Sequence, residues 1–197
     1  MKKRILSIDF DYFIDTDIDT RNNKFPDGVD EKPVDQLEGD WLVMYAKYPE
    51  LQDIGVIPEF NECLKYLSTV DITKTCVAES HKVISSLFSV INSEDTLEVV
   101  NIDFHHDNYI SGGSKIDCAN WVRHLMNERP NTEFLWCRRE DSEIVSLEGE
   151  FPYANTTDFK IEGEFDHIFI CFSPEWTPPH LRMYYRDMEN LVIRPTL

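Results

Sequence analysis

Asp103, His105 and Asp107 occupy alternate positions after an apolar run, in the stretch NIDFHHDNY (101–109). Leu97 to Ile102 read as a buried strand, and alternate side chains of a strand share one face. On that reading, D-x-H-x-D presents carboxylate, imidazole and carboxylate together, with His106 pointing away. Such groups at a buried strand end repel one another or lose hydration unless a positive charge lies between them. A divalent metal ion meets that need; the plainer reading is a solvated polar turn. Asp9 and Asp11, in IDFD, repeat the pattern after a second apolar run, Arg4 to Ile8. Taken alone, D-x-D also describes ordinary strand ends and many phosphate sites. His81, in CVAESHKV, follows a short strand and opens a helix; a lone histidine is otherwise a structural residue. The three clusters offer four carboxylates and two imidazoles, a hard set suited to Mn²⁺. Two such ions about 3.5 Å apart would share bridging carboxylates and lower the pKa of a common water. No cysteine falls within these clusters, and Cys76 is the one near His81.

These groups need a scaffold. Arg4 to Ile8, Lys74 to Ala78, Leu97 to Phe104, Glu133 to Cys137 and Asp166 to Phe172 read as short buried strands. Helical spacing marks Pro58 to Leu67, Lys82 to Ile91 and about Asp117 to Asn127. A last helix, capped by Thr177 with Pro178 at its first position, runs toward Met188. Asp15 to Gly39, polar and punctuated by proline and glycine, predicts a long loop. The SGGSK stretch reads as a loop, and Ser142 to Glu164 as a region with room for extra strands. Strands alternating with helices predict an α/β fold with a mostly parallel central sheet. Such sheets bind ligands beyond the carboxyl ends of their strands. Asp9/Asp11, Glu79 to His81, Asp103 to Asp107 and Ser173 to Glu175 all fall there.

The bulk numbers narrow the function. The chain has 197 residues, enough for one domain with a real core. It is 42% hydrophobic and 12% aromatic, which argues against disorder. A formal charge of −18 would be repelled by a nucleic acid or an anionic membrane. It favours metal ions or cationic substrates, or it serves solubility alone. Five cysteines with no C-x-x-C pair suggest reduced thiols and a cytoplasmic protein. The apolar part of MKKRILSIDF is too short for a signal peptide or a membrane span.

The phrases IDFDYF, AESHK, DFHHDN and CANW carry a resemblance. D-x-H-x-D, a separate D-x-D and a histidine before a helix resemble the metal ligands of the arginase (ureohydrolase) family. The order differs, because D-x-D comes first here. The phrases resemble more closely a divergent branch that includes peptide arginases. These convert arginine residues of ribosomally made precursor peptides to ornithine and release urea. The resemblance implies a three-layer arginase-like fold over residues 1–197, as one catalytic domain, with two Mn²⁺ ions. One ion would be held by His81, Asp103, Asp107 and Asp9, and the other by Asp103, His105, Asp9 and Asp11. Water activated at the site would attack the guanidinium carbon, with Asp107 orienting it. Glu175, in FSPEW, looks like the glutamate that pairs with the substrate guanidinium; a helix-start acid is the plainer account. Asn108, Asn120 and Trp121 are candidate substrate contacts, although a core tryptophan beside a helical asparagine would read the same way. The family's proton-shuttle histidine has no counterpart in YISGGSKID, which leaves His106 or His124 for that role. The implied partner is an arginine-containing precursor peptide, with Asp15 to Gly39 as one wall of its groove.

Other readings stay open. ILSIDFDYF resembles the start of a haloacid-dehalogenase-like phosphatase, but Phe13 stands where that family expects Thr or Val. Asp103 and His105 match the D-x-H of metallophosphoesterases, whose downstream elements are missing. A one-zinc amide deacetylase and a catalytically silent metal-binding protein complete the set.

Overall fold

The computed structural model describes residues 1–26, 32–70, 75–110 and 115–193. The strands are β1 (Lys2–Asp9), β2 (Thr75–Ala78), β3 (Thr96–Ile102), β4 (Glu133–Cys137), β5 (Val145–Ser146), β6 (Gly149–Glu150), β7 (Ala154–Thr156) and β8 (His167–Cys171). The helices are α1 (Ile18–Lys24), α2 (Val34–Lys47), α3 (Glu59–Leu67), α4 (Ile84–Val90), α5 (Trp121–Glu128) and α6 (Arg182–Val192). The central sheet has six strands in the order β2-β8-β1-β3-β4-β7, and every adjacent pair is parallel. β5 and β6 form a separate antiparallel hairpin.

Parallel strands with both faces covered need apolar side chains on both faces, and the central strands supply them. On one face Leu6, Ile8, Ile102, Ile168 and Ile170 pack with Trp41 of α2, Phe60, Cys63 and Leu67 of α3, and Tyr185 and Met188 of α6. On the other, Ile5, Leu97, Val99, Phe134, Trp136 and Phe169 pack with Ile84, Leu87 and Phe88 of α4 and Trp121, Val122 and Leu125 of α5. The fold is therefore a three-layer α/β sandwich. From β1 the chain crosses to β2 on one side and then to β3 on the other. The carboxyl ends of β1 and β3 thus border the crevice where such sheets take ligands.

Three sequence expectations need correction. The described part of Asp15 to Gly39 is not a loop. Asp17 caps α1 by accepting from Thr20 N at 2.7 Å, and Arg21 is that helix's buried residue. α2 begins inside the same segment and buries Leu37 and Trp41, four apart on one face. Gly39 reads as a turn marker but lies within α2, with open space where a side chain would go. Thr177 does not cap the last helix: its hydroxyl donates to Phe172 O at 2.7 Å, and a short 3₁₀ turn, Pro179–Leu181, precedes α6. β3 ends at Ile102, so no strand carries the D-x-H-x-D run. Residues 27–31 of the polar segment, Lys74 of its expected strand, and 111–114 of SGGSK lie outside the described residues.

Among the described residues, no helix is long and apolar enough to cross a membrane.

Candidate metal centre

The site grows out of the sheet by one register rule. In parallel strands, paired residues share a face, so Ser7, Asn101 and Phe169 lie side by side one pleat before the strand ends. The next pleat brings Asp9 beside Cys171, with Asp103 just past the end of β3. Along this face apolar residues give way first to small polar ones and then to charges.

Turns, not a pleat, bring the remaining ligands in. Asp9 ends β1 and caps the 3₁₀ turn Phe10–Phe13 by accepting from Asp11 N at 3.1 Å, which holds Asp11 close behind it. Asp103 accepts from His105 N at 2.8 Å in the same manner. Asp107 has a left-handed backbone with φ of 48°. Ser173, also at φ 48°, donates from its hydroxyl to Asp9 Oδ2 at 2.5 Å. Non-glycine residues avoid this region, at a cost of about 1–3 kcal/mol each. Both such residues among those described sit at the candidate centre, where strain of this kind accompanies function.

The six candidate ligands converge. His81 is fully buried, and its Nδ1 lies 3.2 Å from Asp9 Oδ2, 3.2 Å from Asp103 Oδ2 and 3.0 Å from Asp107 Oδ2. None of these oxygens lies on the line of an N–H bond, so Nδ1 has no aligned hydrogen-bond partner. One nitrogen carries at most one proton and cannot satisfy three carboxylates. His105 Nδ1 lies 2.8 Å from Asp11 Oδ2, and that oxygen likewise has no aligned donor. Imidazole nitrogens among more carboxylate oxygens than their protons can serve have the donor set of a cation cage. His81, Asp103 and Asp107 make one group able to hold a metal ion, and Asp11, Asp103 and His105 make another. Asp103 belongs to both, as a bridging ligand would.

A surrounding layer of bonds fixes these ligands. Ser7 Oγ lies 2.8 Å from His81 Nε2 and turns Nδ1 toward the carboxylates. The His81 ring stacks on Phe169 with centroids 5.6 Å apart. Asn101 Nδ2 donates to Asp103 Oδ2 at 3.1 Å, and Trp136 Nε1 donates to Asp103 O at 2.8 Å. Trp121 Nε1 donates to Asp107 Oδ2 at 2.6 Å, while its ring packs 4.8 Å from that of His81. Buried Arg21 reaches within 3.9 Å of Asp11 Oδ2 and donates to Asp11 O at 2.8 Å.

Without a metal the carboxylates carry an electrostatic load. Burial, with the neighbouring Asp107 charge, holds the Asp103 carboxyl well above its ordinary range. Burial pushes Asp107 up to about 6. Burial also opposes the charged form of His81, but Cys171 and the surrounding carboxylates outweigh it and raise that imidazole well above its usual value. Burial opposes the charged form of Asp11 too, but His105 and Arg21 outweigh it and hold that carboxyl low. A bound cation would remove the repulsion that lifts Asp103.

The other expected site residues are placed differently. His106 is outside the ligand groups: its ring stacks on Tyr109 at 3.9 Å and packs against Phe151, and burial lowers it to about 4. Asn108 N donates to His106 Nδ1 at 3.0 Å, and Asn108 O accepts from Arg123. Asn120 serves the loop, with its Oδ1 accepting from Asp117 N and its Nδ2 donating to Lys115 O. Glu175 is 2% exposed; the cavity wall at this strand end is Ser173 and Trp176. Trp121 grips Asp107 from within the core. Loss of such an outer partner costs about 10–100-fold in metal affinity. Trp121→Phe, which keeps the packing and removes the donor, is therefore expected to weaken metal binding by that factor in a calorimetric titration. Unchanged affinity would make Trp121 a packing residue only.

A cavity of about 250 Å³ opens onto the centre. Its wall includes Asp9, His105, Asp107, Ser173, Phe104, Tyr109, Trp176, Glu143, and Ile18 and Asn22 of α1.

Sequence reasoning missed Ser7, Asn101, Arg21 and Cys171, and it placed Ser173 at a strand end without giving it a role. The first two had a signal: each is a polar residue within a buried run, two positions before a ligand. Arg21 had none, because it lies in a segment that reads as loop. Cys171 corrects an expectation, since its thiol forms a third potential ligand group with Asp9 and His81. Comparison with protein-family models, curated proteins and solved structures finds no match to this chain.

Proposed function

We propose that this chain is a metal-dependent hydrolase of the arginase type, acting on the guanidino group of arginine residues in a peptide and releasing urea and ornithine. The observation that carries the metal-dependent part is the buried His81 Nδ1, surrounded by three carboxylate oxygens at 3.0–3.2 Å with no proton aligned to any of them. The donor set fits divalent ions: nitrogen and carboxylate oxygen at two positions that share Asp103, with Mn²⁺ the natural occupant of the Asp11, Asp103 and His105 position. When bound, such ions lower the pKa of a water and supply a nucleophile at neutral pH.

The chain's own residues do the rest. Asp107, beside the cavity and held by Trp121, can accept a proton from the attacking water. Tyr109 and Trp176 line the cavity and bring aromatic groups to a planar cation. Glu143, on the same wall, can accept from a guanidinium fork. Burial of Phe104 and of the cluster limits water at the reacting carbon. After attack, the tetrahedral carbon expels the ornithine amine, which takes up the proton held by Asp107. The open acidic surface of the chain suits a basic peptide segment.

The test pairs peptide mass with urea. The protein is loaded with Mn²⁺ and incubated with an arginine-containing peptide and, separately, with free arginine. Urea from the peptide, with the matching peptide mass change, is expected. Asp107→Ala should abolish it, and Glu143→Gln should raise KM more than it lowers kcat. Metal binding with no urea from either substrate would overturn the guanidine reading. Faster turnover of free arginine would overturn the peptide reading alone.

A further inference from the structure

A buried thiol stands beside the nitrogen and oxygen groups of the centre. Cys171 is the last residue of β8 and pairs in register with Asp9 of β1, so both side chains leave the same face of the sheet side by side. Its thiol is fully buried, and one ligand atom each from Asp9, His81 and Cys171 lie within 4.8 Å of one another. Sulfur and nitrogen bound to one tetrahedral zinc lie about 3.6 Å apart, so a bound ion would draw these groups together. A second observation points to a ligand at the same place: His81 Nδ1, wholly buried, has no aligned partner. The Cys171 Sγ also lies 3.7 Å from Ser173 Oγ, whose hydroxyl donates to Asp9 Oδ2.

We propose that Cys171 is a thiolate ligand of the ion held by His81 and Asp9. The binuclear centre is then asymmetric. The His81 position, with sulfur, nitrogen and oxygen donors, selects Zn²⁺, Co²⁺ or Fe²⁺. The Asp11 and His105 position, without sulfur, takes the harder Mn²⁺. On binding, the metal replaces the thiol proton, which leaves to solvent. The inference rests on the metal-centre part of the proposed function and does not require the guanidine substrate.

Cobalt tests it. Metal-free protein is titrated with Co²⁺ while bound cobalt is counted and the absorption spectrum recorded. Two signals are expected: ligand-field bands from bound Co²⁺, and a near-ultraviolet thiolate-to-cobalt charge-transfer band. The second band should vanish in Cys171→Ser, and that variant should bind Zn²⁺ less tightly by at least the roughly 10–100-fold that an outer-shell loss costs. Its preference should also move from Zn²⁺ toward Mn²⁺. If Cys171→Ser does not fold, zinc-edge X-ray absorption of the wild-type protein substitutes, with a sulfur neighbour expected at about 2.3 Å. Bound cobalt without the charge-transfer band, a band that survives Cys171→Ser, or zinc with only nitrogen and oxygen neighbours would each overturn the thiolate while leaving the metal centre standing. No bound cobalt at all would overturn both.

Discussion

Asp103→Ala is expected to empty both metal positions at once. The side chain is 1% exposed and belongs to both nitrogen-and-oxygen ligand groups, with Oδ2 3.2 Å from His81 Nδ1. Its backbone is anchored independently, by Trp136 Nε1 on its carbonyl and by its own N–H on Cys137 O. Asp103 itself should therefore keep its place when the carboxylate is gone, while the turn that its Oδ1 holds at His105 N loosens. Removing the charge relieves repulsion with Asp107, which offsets the lost bonds from His105 N and Asn101 Nδ2, so the metal-free variant should stay folded. Metal content should fall from about two ions per chain to below one. Several kcal/mol of transition-state stabilisation go with the ions, so hydrolysis should drop by about 10³-fold or more, at 1.36 kcal/mol for each factor of ten. Elemental analysis, a thermal melt in chelator and a turnover assay check the three parts. Two ions retained in Asp103→Ala would remove the bridging role. An unfolded variant would show that the carboxylate holds the loop, against the anchoring argument above.

Much of this site was legible because the ligands are bunched in sequence. D-x-H-x-D and D-x-D each place several groups within five residues of a strand end, and a short run after an apolar segment needs no tertiary information to suggest convergence. The reason offered for the convergence was only half right. Alternation along a pleat is not what gathers Asp103, His105 and Asp107; the strand stops at Ile102 and backbone-to-carboxylate bonds turn the chain. The same spacing serves both geometries, so the sequence could not separate them. The parallel sheet was legible from apolar runs buried on both faces. α1 and α2 were not, because α1 is seven residues long with one buried side chain, a charged one, and α2 exposes Leu42 and Val43 while burying Leu37 and Trp41. Cys171 escaped because register between distant strands decides its neighbour, and no local pattern encodes which strand lies beside β1.

Metal loading should raise thermal stability by an amount that grows with pH. The cause is one competition, between protons and metal for the same buried ligands. In the metal-free protein, groups of raised pKa lose stability as pH rises. For Asp107 the unfolded value is about 3.9, and the folded value is pushed up to about 6. The native state thus holds more protons than the unfolded one between those values, and stability falls as pH rises through that window. Asp103 extends the loss to higher pH, because its carboxyl lies well above the ordinary range. His81 and His105 are raised above 6.5, so their contribution is fully present below that value and lost as pH rises through the folded pKa. Asp11 is lowered and acts oppositely, in the acid range below its unfolded value. Metal binding, by contrast, needs deprotonated ligands and strengthens with pH. Self-repulsion of a chain of charge −18 also grows with pH, but it cancels in the difference between loaded and metal-free melts at one pH. At a metal concentration about a thousandfold above Kd, binding adds about 4 kcal/mol. For a chain of this size, each kcal/mol moves Tm by about 2–4 °C. The expected difference at pH 8 is then roughly 10 °C, shrinking toward zero near pH 5. Paired melts with Mn²⁺ and with chelator, taken across that range, measure it. A difference that stays flat with pH would mean that the ion binds groups other than the buried histidines and aspartates of this crevice.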